Sequence, residues 1–392
     1  MRSTMTPTIH APGRPFRVPA VVAAMLALLA GLAAAPADAA VAGGASTAGR
    51  NNYGQLGSGN TTNRLTGGPV INLSNVVEVA SGREHGLALR SDGTVWAWGW
   101  NGYSQIGDGT RTNRNAPVRS GTITGVTRIE GGHYHSMALR SDGTLWAWGR
   151  NSGGQLGDGT TSSRKTPTRV AGLTGVKSMA GGRDHSLALK TDGTVWAWGS
   201  NAFGQLGDGT FSGHITAARV SGLTGVVAVA AGRDHSFAIR SDGSLWAWGL
   251  NDKGQLGDGS TTNRATPVRV GTLTGWTDIA GGASHSVGLR SDGYVYTWGS
   301  SGLGQGGNGK TTSKTTPQRV TALSGMTSVG AGRDHTLAVK SNGTLWGWGL
   351  NTYGALGDGT TTKRLTPVQM QGVAGARHAA AGAFHTVVFR TP

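Results

Sequence analysis

The chain has 392 residues, a formal charge of +16, 69 glycines, 13 tryptophans and no cysteine. Glycine in this abundance without a Gly-X-Y period excludes collagen, the tryptophans exclude a disordered chain, and the lack of Cys excludes disulfides, thiolate metal sites and a cysteine nucleophile. The charge raises nucleic acid as a partner, a question that turns on where the basic residues stand.

The first segment reads as an export signal. Arg2, Arg14 and Arg17 precede a run of apolar or small residues from Ala20 to Ala35, and Ala37-Asp38-Ala39 follows. That order predicts a cleavable signal peptide over residues 1–39, cut near Ala39 or Ala40. The run is shorter than the roughly twenty residues that span a bilayer, which argues against a retained anchor. The protein is therefore expected to be secreted or held in the cell envelope.

From Val41 onward the chain repeats. Asn51, Asn101, Asn151, Asn201, Asn251 and Asn351 recur at multiples of fifty, with Ser301 in the missing slot. His85, His135, His185, His235, His285, His335 and His385 keep the same spacing, as do segments such as Gly54 to Gly57 and Gly154 to Gly157. Residues 41–392 amount to seven such periods and two residues over. A period of this length marks a solenoid, a propeller or another array.

The unit that starts at Ser141 carries four short strand signals, over residues 144–149, 167–170, 176–181 and 185–190. None of it has the 3.6-residue period of an amphipathic helix. Asp-Gly and Gly-rich turns between neighbouring runs favour antiparallel pairing. Four antiparallel strands repeated seven times predict an all-β fold, a seven-bladed β-propeller over residues 41–392. A linear solenoid would need polar caps at both ends, and none is present. Seven His strands are matched by six Trp strands, because residues 46–49 read Ser-Thr-Ala-Gly. The N-terminal strand is thus expected to pair with the strand at Thr386 to Arg390 and close the ring through its weakest blade.

These motifs carry a resemblance. The GQLGDGT segments, the GxxHS-LAL strand and the WAWG strand resemble the repeat of the regulator of chromosome condensation family, a seven-bladed propeller, over residues 41–390. The resemblance implies the fold but leaves function open, since that family includes a nuclear guanine-nucleotide exchange factor that also touches chromatin. More distantly the chain is similar to the secreted β-lactamase-inhibitory protein II type, whose repeats are shorter and lack GQLGDG.

The recurring residues read first as structure. Seven histidines in seven blades need not converge, and carboxylates or Cys at ligand spacing are lacking, so they are read as ordering turns through backbone groups. Pairs such as Trp96/Trp98 and Trp146/Trp148 alternate with Ala97 and Ala147, which puts large residues on one sheet face and small ones on the other. No G-x-S-x-G, P-loop or H-E-x-x-H motif is present, and GDGT lacks the ligand series of a calcium loop. No enzyme activity, catalytic residue, metal or cofactor is expected.

The basic residues recur in register, as at Arg90, Arg140, Lys190, Arg240, Arg290, Lys340 and Arg390, in the loop at Arg64, Arg114, Arg164, Arg264, Lys314 and Arg364, and at Arg83, Arg183, Arg233 and Arg333. Charge spread in rings argues against a nucleic-acid groove but leaves an anionic polymer or surface as a partner. The strand directions put the GxxH and WGxNxx loops at one end of the disc. There the residues differ from unit to unit, as at Arg50, Tyr53, Trp100, Tyr103, His133, Tyr134, Phe203, Leu250, Lys253, Leu350, Tyr353 and Phe384. Unlike loops that set aromatics in polar turns point to a face that engages a protein partner. The expected molecule is a monomeric, secreted binding scaffold. A structural protein on cell-envelope polyanion is the second reading, and exchange-factor activity the third.

Overall fold

The structure, a computed structural model, describes residues 43–391. The segment read as an export signal lies outside the described residues. Twenty-eight strands, β1 to β28, form seven four-stranded antiparallel sheets, and the described residues contain no helix. The chain is a seven-bladed β-propeller. One fifty-residue unit is shared between two blades: β7 (Val126–Gly131), β8 (His135–Arg140), β9 (Leu145–Gly149) and β10 (Arg164–Arg169) make one sheet.

The Trp strands show why the blades stack. Leu145 and Ala147 point to one face of β9 and Trp146 and Trp148 to the other, as period-two alternation requires. Trp148 and Ala138 pack on Leu87, Leu89, Val95 and Ala97 of the preceding blade, so a large indole meets small and aliphatic partners. Six of these boundaries hold a buried tryptophan or its equivalent, and losing one indole would cost about 3–5 kcal/mol. The first tryptophan of each pair lies outside the fully buried core. Trp96 and Trp146 are only half-buried; each indole N–H donates to a turn hydroxyl, and Arg90 lies over Trp96 at 5.6 Å.

The ring closes as the count of strands implied. One sheet runs β2 (Arg64–Pro69), β1 (Gly44–Gly49), β28 (His385–Arg390), β27 (Ala376–Ala381), two strands from each end of the chain. β1 and β28 pair continuously from Gly44↔Arg390 to Gly49↔His385. No tryptophan stands in this blade. Ala48 occupies the place of the inner indole, and Met370 fills the space beside it, in the same apolar cluster.

The histidines do something other than order turns through backbone groups. The Nε2 of His85, His135 and His185 meets the hydroxyl of Ser136, Ser186 and Ser236 in the next blade at 2.9–3.0 Å. Each of those serines donates its own hydrogen to a Gln carbonyl, so the imidazole is the donor. The glycine of GxxH makes room for the ring: a Cβ on Gly82 would lie 2.0 Å from Cε1 of His85. The motif is a joint between blades.

Candidate binding face

Both loop families do come to one end of the disc. The nitrogen after each Trp strand, or after β1 in its place, donates to the carbonyl before each histidine, as in Arg50 to Phe384, Trp100 to Glu84 and Arg150 to Tyr134. Gly99 makes the turn at φ +99, where a Cβ would fall 2.6 Å from the Glu84 carbonyl. Beneath the loop, Asn101 accepts from the Ile106 N–H and donates to Asp108 and the Thr112 carbonyl. The GDGT aspartates anchor this layer. Burial alone would raise the Asp158 carboxyl, but bonds from Thr160 and Arg164 outweigh it and hold it below its ordinary value.

On this scaffold eight of the twelve loop residues singled out in the sequence form one arc. Trp100, Tyr103 and Tyr134 pack edge to face with centroids 5.3–5.5 Å apart, and His133 abuts Tyr134. Tyr53 lies 6.4 Å from Trp100, and Tyr353 lies 5.3 Å from Phe384. Arg50 joins the two groups, its guanidinium over Tyr53, Tyr353 and Phe384 at 5.3–5.8 Å. Tyr103 is the most open of these rings, at 37% exposure. The other four stand apart: Leu250 is buried, Lys253 is exposed beside Asp252, and Phe203 and Leu350 are half-buried.

Three arginines that the sequence reading counted only as charge, or passed over, complete the arc. Arg150 stacks on Tyr103 and Tyr134, Arg83 lies over Tyr134 and donates to its hydroxyl, and Arg333 lies over Phe384. Each stack adds about 0.5–2 kcal/mol and fixes a guanidinium plane. Arg50 and Arg150 also pair with Glu84 and Asp184. Where Gln55 and Gln155 give their amide to Glu84 and Asp184, Gln105 faces Tyr134, and its buried Nε2 has no partner.

The GxxH loops also ring the mouth of an axial channel of about 430 Å3. Arg83, His133, Arg183, Arg233, Ala283, Arg333 and Ala383 follow one another round it, linked by inter-blade backbone bonds such as Arg83 N–H to the His133 carbonyl. Asp234, buried between Arg183 and Arg233, pairs with both. Burial, with Arg83, Arg183 and Arg233 close by, pushes the His133 imidazole down to about 3 and keeps it neutral. No three metal-ligating side chains come together among the described residues.

The fold places the chain among the seven-bladed propellers built from four-stranded units and closed by two strands from each end. Within that class it belongs to the RCC1-like domain family, whose model matches residues 44–388. Propellers of this family are known for binding proteins, and some act as guanine-nucleotide exchange factors. Among solved structures it is similar to Prp20p of Saccharomyces cerevisiae, described with its binding to Gsp1p and histones, at 25% identity and a TM-score of 0.79, over 89% of this chain and 91% of that one. Human WBSCR16 superposes with a TM-score of 0.76 at 24% identity, over 89% and 99% of the two chains. Yeast RCC1 (Prp20) bound to Kap60 gives 0.81 at 23% identity, over 99% and 96%. No curated protein matches the chain by sequence.

Proposed function

We propose that this chain is an exported, non-enzymatic binding propeller that grips a protein partner through its GxxH and WGxNxx loops. The observation that carries the reading is the continuous arc from Phe384 and Tyr353 through Arg50 to Tyr53, Trp100, Tyr103 and Tyr134. Interfaces draw most of their energy from a few Trp, Tyr and Arg residues, and here they are pre-arranged by stacking, which lowers the entropy lost on binding. Prp20p supports the protein-binding half of the reading. Export rests on the sequence of residues 1–39.

The test is capture from culture medium and envelope extract at low and high salt. A protein retained at high salt and lost with Trp100→Ala plus Tyr103→Ala is the expected result. Retention that salt abolishes and those substitutions leave unchanged overturns it in favour of an anionic polymer. Faster nucleotide release from a small GTPase would instead assign an exchange-factor role, and N-terminal sequencing of the exported protein tests the signal.

A further inference from the structure

One level of the channel wall, just below its mouth, is built from small residues with a single exception. At the last position but one of each innermost strand stand Ala80, Ala180, Ala230, Ala280, Gly330 and Ala380, whereas β7 carries Glu130. The other acidic groups on the wall have partners. Glu78 lies beside Arg128 and takes a backbone N–H from Ile129, and Asp278 accepts from the Ile279 and Val329 N–H groups. The Glu130 carboxyl takes the Gly131 N–H but has no cation beside it and no hydrogen bond to another side chain. Burial, and after it the charge of Glu78, pushes its carboxyl up to about 8. A carboxyl buried with one backbone N–H and no countercharge costs stability, which is the mark of a group kept for a ligand.

The mouth supplies a complementary group. Arg183, Arg233 and Arg333 are matched by Asp184, Asp234 and Asp334. Arg83, on the blade next to Glu130, donates to the Tyr134 hydroxyl and pairs with no carboxylate. The channel thus offers an unpaired guanidinium at its rim and an unpaired carboxyl beneath, in a volume within the range that holds small ligands. We propose that the axial channel is a binding site for a compact zwitterion of the amino-acid class, its ammonium on Glu130 and its carboxylate on Arg83.

Calorimetric titration of the purified protein with L-lysine, cadaverine and glutarate tests the assignment. L-Lysine is expected to bind one to one, cadaverine at least tenfold more weakly for want of a carboxylate, and glutarate not at all. Glu130→Ala, the residue six sibling positions tolerate as Ala or Gly, is expected to abolish L-lysine binding while leaving the melting temperature unchanged or higher. Arg83→Ala should bring L-lysine down to the level of cadaverine. No binding of L-lysine, equal binding of cadaverine, or binding that survives both Glu130→Ala and Glu130→Gln overturns the proposal.

Discussion

Nε2 of His185 and Oγ of Ser236 lie 3.0 Å apart across the boundary between two blades. The serine passes its own hydrogen to the Gln205 carbonyl at 2.8 Å, so a side-chain relay runs from one blade's strand start to the next blade's serine and back to a loop of the first blade. The relay repeats round the ring, with threonine replacing serine at Thr336 and Thr386. It changes only at the seam, where residue 86 is glycine and His385 meets Ser81 instead, at 3.1 Å. His185 and Ser236 are both buried, so their bond is made away from water, where leaving a donor unmatched is costly.

Ser236→Ala strands the His185 N–H, and it is expected to lower stability by about 1–3 kcal/mol in urea titration. Restoring the repeat at the seam should not help. A Cβ at Gly86 would lie 2.5 Å from the Trp98 ring, so Gly86→Ser is expected to destabilise although it supplies the usual hydroxyl.

Burial gives the ring an acid limit. It holds His85, His135, His185, His235, His285 and His385 near 3 and His335 near 4. These lie below the unfolded value of about 6.5, so the unfolded chain binds more protons as pH falls below it, and stability drops. The raised carboxyls act the other way: Glu78 and Glu130, at about 7 and 8, cost stability increasingly as pH rises from the ordinary value of 4.5 toward those values. They are outnumbered by the histidines between pH 5 and 6.5. Calorimetry should therefore show a maximum near neutral pH and a fall in melting temperature on the order of ten degrees by pH 5.

The fold was legible because a fifty-residue period leaves little freedom: seven His strands against six Trp strands implied both the blade number and the closing pair. The binding face was legible only in part. Tyr53, Trp100, Tyr103 and Tyr134 stood out as aromatics in polar turns, but Arg150 stacks on Tyr103 of the preceding blade, a proximity set by blade radius and twist rather than by spacing. The same limit hid the partner of each histidine. Glu130 carried a signal that register would have exposed, as the one carboxylate among alanines and glycine at its position. Leu250 shows the converse, a variable loop residue that turns inward.

Closure by β1 makes a short terminal stretch matter more than its length suggests. Six residue pairs join it to β28, and Arg390 donates to Ser46 at 2.9 Å. Deleting residues 44–50 exposes the edge of β28 and is expected to lower the melting temperature by more than ten degrees, on the order of a multi-kcal/mol loss. A melt unchanged by the deletion would show that the ring holds without its seam.

The seam also contains a repairable defect. In six places a glycine of GQLG or its variant abuts an indole, as Gly157 does Trp198, whereas Gly357 abuts Met370. In five sibling blades the loop carbonyl accepts from both a hydroxyl and an indole N–H, as the Gln105 carbonyl does from Ser136 and Trp148. At the seam the Ala355 carbonyl accepts from Thr386 alone, with Ala48 where the indole would be. Ala48→Trp by itself drives the ring into Met370 and is expected to cost about 1–3 kcal/mol. Met370→Val by itself opens a small void and costs about 1 kcal/mol. Together they recreate the sibling arrangement, with valine at the Val220-type position and the indole N–H aimed at the Ala355 carbonyl. The pair is expected to exceed the parent in stability, with a favourable coupling of at least about 1 kcal/mol in a double-mutant cycle. Additive losses would mean that the methionine is an equal substitute for the missing tryptophan, and the seam no weaker than its siblings.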